Sequence, residues 1–246
     1  MSALGVPVCI LHILHHFLIM KANPKKAATL VDAYITHLNE HGTPPVSVFA
    51  FCKTHKIKER DFYSQYSSFE ALEARFWQDL LQRVIAAVES GVDWKSFSAQ
   101  QRLLSFLFAF FEEALTHRTL LLLRFETLSP RDKPAFTREF ENTYKSFAQA
   151  LTKSAVENRE VADSGRLISL YPEAFYLHLR GLMKFHLQDT SSGYEKTDAV
   201  IEKSVTLAFD LLKTSALESA FDLAKILVLI PLSSNSSRYS CQSEAR

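Results

Sequence analysis

Glycine and proline are scarce in this chain, six and eight residues in 246, roughly half the usual share. That scarcity excludes a turn-rich β-sandwich or barrel. Cysteine is scarcer still: Cys9, Cys52 and Cys241 stand far apart, form no CxxC pair and are odd in number. A disulfide framework is excluded, and reduced thiols in a cytoplasmic protein are expected. Net charge is nearly absent at +1, so no global field points to nucleic acid, and any such surface must be local. The sequence has no P-loop, GxGxxG, HExxH or GxSxG, which leaves no cofactor motif to assign. What is abundant is apolar: hydrophobic residues make up 47% and phenylalanine numbers 19. This is enough for a large core and excludes wholesale disorder.

Residues 1–19 differ from the rest of the chain. They are apolar but lack the basic start and small-residue cleavage site of a secretory signal. His12, His15 and His16 interrupt them too often for a transmembrane helix. His12 and His16 share a helical face, yet no carboxylate or cysteine beside them completes a ligand set, so no metal site is assigned. The expected reading is upstream sequence or disordered leader, with Met20 as the start; a weakly interfacial amphipathic segment is the alternative.

From Lys25 onward the pattern is helical throughout. Ala28, Val31, Ile35 and Leu38 fall at helical spacing, with Gly42 placed to end that helix. After Thr43-Pro44-Pro45, Ser47 can cap a short helix through Cys52, and a second runs from about Lys58 to Tyr66. Ser67 and Ser68 precede a long helix to about Glu89, with Glu70 at capping-box spacing from Ser67. Residues 102–117 are apolar almost all round and belong in a core. Further helices are expected over 119–128, 134–158, 172–188, 194–213 and 216–230, then a Ser-rich disordered tail. No strand and no repeat is expected, and the fold class is all-α. Carboxylates and histidines do not converge; Asp189 and His186, three residues apart, fit a surface pair. No catalytic residue is assigned, and an enzyme is not expected.

The segment Ser47–Leu72, SVFAFCKTHKIKERDFYSQYSSFEAL, places two short helices and a tight turn before a longer helix, a helix-turn-helix pattern. Ile57, Phe62, Tyr63, Tyr66, Ser68, Glu70 and Leu72 stand where TetR-type repressors carry their turn hydrophobe, aromatic pair and cap. The chain thus resembles a TetR-like protein. The resemblance implies a helix-turn-helix head over 20–68, a helical ligand-binding and dimerisation domain over 69–231 and a tail over 232–246. It departs from that pattern in four ways. Lys56 replaces the turn glycine, Lys58 the capping hydroxyl and Phe69 a lysine, while Glu59 and Asp61 put negative charge on the recognition helix. Residues 21–66 nevertheless hold seven basic and four acidic side chains, a local excess suited to phosphates.

A second resemblance covers Leu187–Val205, LQDTSSGYEKTDAVIEKSV, through Asp189, Ser191, Tyr194, Glu195 and Thr197. It is similar to a segment of the lipid-binding proteins of coenzyme Q biosynthesis, which share the TetR-type fold without binding DNA. The same hydroxyls could equally cap a helix. The leading expectation is a dimeric TetR-like transcriptional regulator. Lys53, Lys56, Lys58, Arg60, Tyr63 and Tyr66 would meet duplex DNA, and Phe106, Phe110, Leu122, Phe175 and Leu179 would line a pocket for a small apolar ligand. The alternative is a lipid or isoprenoid carrier of the same fold. In either case the last two helices, through Val200, Leu207, Leu211, Leu223, Ile226 and Leu227, are expected to form a homodimer.

Overall fold

A computed structural model describes residues 30–162 and 165–213. The expectations for the leader, Met20, His12 and His16, the 216–230 helix and the tail lie outside these residues. Among the described residues the chain forms nine α-helices and no strand. They are α1 (Leu30–His41), α2 (Val48–Thr54), α3 (Glu59–Tyr63), α4 (Phe69–Glu89), α5 (Ala99–Thr116), α6 (Arg118–Phe125), α7 (Arg138–Glu157), α8 (Tyr171–Gln188) and α9 (Glu195–Lys213). No helix among them is long and apolar enough to cross a membrane.

The 21-residue α4 is the beam of the molecule. Its buried stripe runs through Leu72, Phe76, Leu80, Leu81, Val84 and Val88, the i, i+3, i+4 pattern of an amphipathic helix. At its N-terminus Ser68, rather than Ser67, is the cap, its hydroxyl accepting from the Ala71 N–H at 3.1 Å. The first turn of α4 closes an aromatic cluster: Phe69 stacks on Tyr34 at 5.2 Å and meets Phe51 and Phe62 edge-on, both at 5.3 Å. These rings, with Leu38 and Cys52, form the small core under α1, α2 and α3.

One turn further, Glu73 is buried and satisfied. It accepts from Tyr34 Oη at 3.3 Å, Trp77 Nε1 at 3.3 Å and Arg124 Nε at 2.7 Å. A buried carboxylate is tolerated only with such partners, and these three come from α1, α4 and α6. This one carboxylate therefore ties α1 to α4 and α6. Burial and the nearby Glu73 carboxylate push the Tyr34 hydroxyl well above its ordinary range.

In the body α4 packs on α5 and α7, α8 packs on α7, and α9 packs on α5 and α8. A capping box starts α5, with Ser98 and Gln101 exchanging bonds. Phe106, Phe110, Phe140, Tyr144 and Phe147 form one packed aromatic layer between α5 and α7. Buried Arg180 of α8 donates to the Ser129 and Asp132 carbonyls and to Tyr176 Oη, which fixes the loop after α6. Along α9, Ile201, Val205, Phe209 and Leu212 face inward.

Candidate functional site

The first candidate surface is the Ser47–Leu72 segment, where a helix-turn-helix is expected. Ser47 caps α2 as expected, accepting from the Ala50 N–H at 3.1 Å. The turn after α2 keeps its tight shape although lysine replaces glycine: Lys56 sits at φ +56°. The Ile57 N–H donates to the Cys52 carbonyl at 2.8 Å and the Lys56 N–H to the Lys53 carbonyl at 3.4 Å, the paired bonds of a Schellman ending. Lys58 stands at the N-cap of α3 and supplies no side-chain bond there. Only five residues long, α3 is shorter than the expected 58–66, and it carries Glu59 and Asp61 in its first turn.

Of the six residues expected at DNA, Lys53, Lys56, Lys58, Arg60 and Tyr63 are exposed. Tyr66 is half-buried, tilted against Phe62 at 6.2 Å, and burial raises its hydroxyl pKa. Cys52 lies beneath this surface, where burial pushes its thiol up.

The connection from α8 to α9 carries the second resemblance. Asp189 is buried and accepts four bonds: from Ser191 N and Oγ at 2.8 and 2.6 Å, and from Thr197 N and Oγ1 at 2.9 and 2.7 Å. These bonds, led by the Ser191 hydroxyl, hold its carboxyl far below the usual carboxylate range. Ser191 Oγ also accepts from the Lys196 N–H at 3.2 Å. The hydroxyls are thus engaged in starting α9. His186 and Asp189, expected as a surface pair, are both buried, and the bond between them runs from the Asp189 N–H to the His186 carbonyl at 3.3 Å. The His186 ring lies 5.0 Å from Phe111 and 4.9 Å from Tyr194. Arg118 lies over Tyr194 and donates to the His186 and Leu187 carbonyls, closing the end of α8.

The third candidate lies where α5 begins and α9 ends. An open cleft of ≈ 430 Å³ is bordered by Ser98, Gln100, Arg159 and Lys213, with Val161 and Phe209 at its base. Behind it lies an apolar recess among Leu151, Ala155, Phe175 and Leu212, walled by the same Val161 and Phe209 and too tight to admit a water. The loop between them is held at both sides. Glu160 accepts from the Ala99 N–H at 2.5 Å, and the Ala162 N–H donates to the Leu212 carbonyl at 3.0 Å. Arg159, at φ +57°, ends α7 with a second Schellman pair: Glu160 N–H to Ala155 O and Arg159 N–H to Val156 O.

Of the expected pocket residues, Phe175 borders this recess. Phe106 and Phe110 lie in the aromatic layer, Leu179 is fully buried in the core, and Leu122 is half-buried. Val161 and Phe209 were not among the expected residues.

Residues 102–227 match the family model described as tetracyclin repressor-like, C-terminal domain. The matched segment contains the whole apolar recess and begins after the head. No curated protein matches the chain.

Proposed function

We propose that this chain, which belongs to the tetracyclin repressor-like C-terminal domain family, binds a lipid-like apolar ligand in its helical body and does not read DNA. The observation that carries this reading is the apolar recess inside the matched segment, which shares Val161 and Phe209 with the lining of an open cleft. Rotation of those two side chains would join the two spaces into one concave site with an apolar interior and a polar mouth. The head supports the same reading. Its α3 is short, lacks a side-chain cap and presents two carboxylates where phosphates would stand. The role is one of binding rather than catalysis, and the chain acts as a homodimer.

Protein purified from its native source is extracted with organic solvent, and the extract is analysed by mass spectrometry. In parallel, retention on its own upstream duplex DNA is measured against salt. A co-purifying lipid with no salt-dependent retention is the expected result. Tight duplex binding with a steep salt slope, flattened by about one unit per lost contact in Lys58→Ala and Arg60→Ala, would overturn it in favour of a transcriptional regulator.

A further inference from the structure

We propose that the exposed faces of α2 and α3 dock on an anionic lipid bilayer. Three large apolar side chains are exposed on or beside these two helices within eighteen residues: Val46, just ahead of α2, completely, Phe49 on α2 at 64% and Tyr63 on α3, three residues after Arg60, at 56%. None is needed by the small core beneath, which Phe51, Cys52 and Phe62 already fill. Val46 precedes the cap of α2 and Phe49 lies in its first turn, so both project from the start of that helix. Lys53 is one turn after Phe49 and shares its face. Lys56 occupies the left-handed turn position, Lys58 opens α3 and Arg60 follows, all exposed. No ion pair engages these four cations among the described residues.

Apolar tips among exposed cations match the boundary of a bilayer, where aromatic rings enter the headgroup layer and lysines meet anionic lipid. A duplex offers phosphates to the same cations but no apolar layer for Val46 and Phe49. Glu59 and Asp61 reduce the local excess to two positive charges, so attachment is reversible and salt-sensitive. Such a surface would bring a lipid-binding body to a membrane, although the docking argument stands on the head alone.

The full-length chain is floated with vesicles of phosphatidylcholine, alone or mixed with phosphatidylserine. It is expected to float with the mixed vesicles, to lose partition as salt rises, and to stay behind with phosphatidylcholine alone. Lys53→Gln and Lys58→Gln should each weaken partition about fivefold. Phe49→Ser should weaken it at least as much, while leaving the thermal midpoint unchanged because the ring is exposed. Val92→Ser, a fully exposed position in the turn after α4, serves as the variant that should float like the parent. Equal flotation on both vesicle types, or unchanged flotation of the three head variants, would overturn the proposal. So would duplex DNA binding through the same residues that displaces the protein from vesicles.

Discussion

His186 shows how strongly one buried side chain can tie stability to pH. Its ring is 2% exposed between Phe111 and Tyr194, and neither ring nitrogen has a hydrogen-bond partner among the described residues. Burial, then the Arg118 guanidinium, push its pKa from 6.5 down to about 4, while Asp189 pulls the other way. Above pH 6.5 the ring is neutral in both folded and unfolded chains. As pH falls from there, the unfolded chain takes up a proton that the folded chain refuses, so stability declines until about pH 4 and then levels off. The loss is on the order of 2–3 kcal/mol. His186→Phe should flatten that part of the profile, as read by urea unfolding of parent and variant between about pH 7 and about pH 4. An unchanged difference between the two across that window would contradict this account. The burial itself was not legible in the sequence, where a histidine three residues from an aspartate reads as a surface pair. What buries it is Tyr194 and Phe111, from elements that no local spacing reveals.

At the scale of elements, periodicity located the helices and local chemistry decided their ends. The stripe Phe140, Tyr144, Phe147 and Leu151 of α7 was legible because one apolar face repeats turn after turn, and all four are buried. The capping box of α5, Ser98 with Gln101, is not signalled by periodicity, because the apolar run of that helix starts later in the sequence. Glu73 could not be paired from sequence, since Arg124 lies 51 residues away. Gly42, at φ +71°, ends α1 where its glycine signals it, whereas the left-handed endings of α2 and α7 carry lysine and arginine, so there the usual glycine signal is silent. At Lys56 the bonds of the turn prevail over side-chain preference. A non-glycine residue in this conformation costs about 1 kcal/mol. Lys56→Gly should therefore raise stability by about 1 kcal/mol, less the added freedom of the unfolded chain. Chemical denaturation measures the change, and a clear loss of stability would show that Lys56 makes a compensating contact.

At the scale of the whole molecule, the candidate pocket was only partly legible, because a core and a cavity wall ask for the same residues. Phe106 and Phe175 look alike in sequence, yet Phe106 lies within the aromatic layer and Phe175 borders the recess. The surface of α9 poses the opposite question. Its inner face is complete with Ile201, Val205, Phe209 and Leu212, while Leu207 at 61% and Leu211 at 40% are exposed one turn apart on the outer face. Of the other residues expected at the dimer interface, Val200 is half-buried and Leu223, Ile226 and Leu227 lie outside the described residues. An exposed apolar stripe on an otherwise satisfied helix is what a self-complementary contact would cover. Sedimentation equilibrium at micromolar concentration is expected to give twice the chain mass. Leu207→Glu combined with Leu211→Glu would bury paired like charges across the two-fold axis and should shift the population to monomer. Because both positions are exposed, the monomer should keep its helical circular dichroism. A parent that sediments as a monomer, or a double variant that remains dimeric, would remove α9 from the interface.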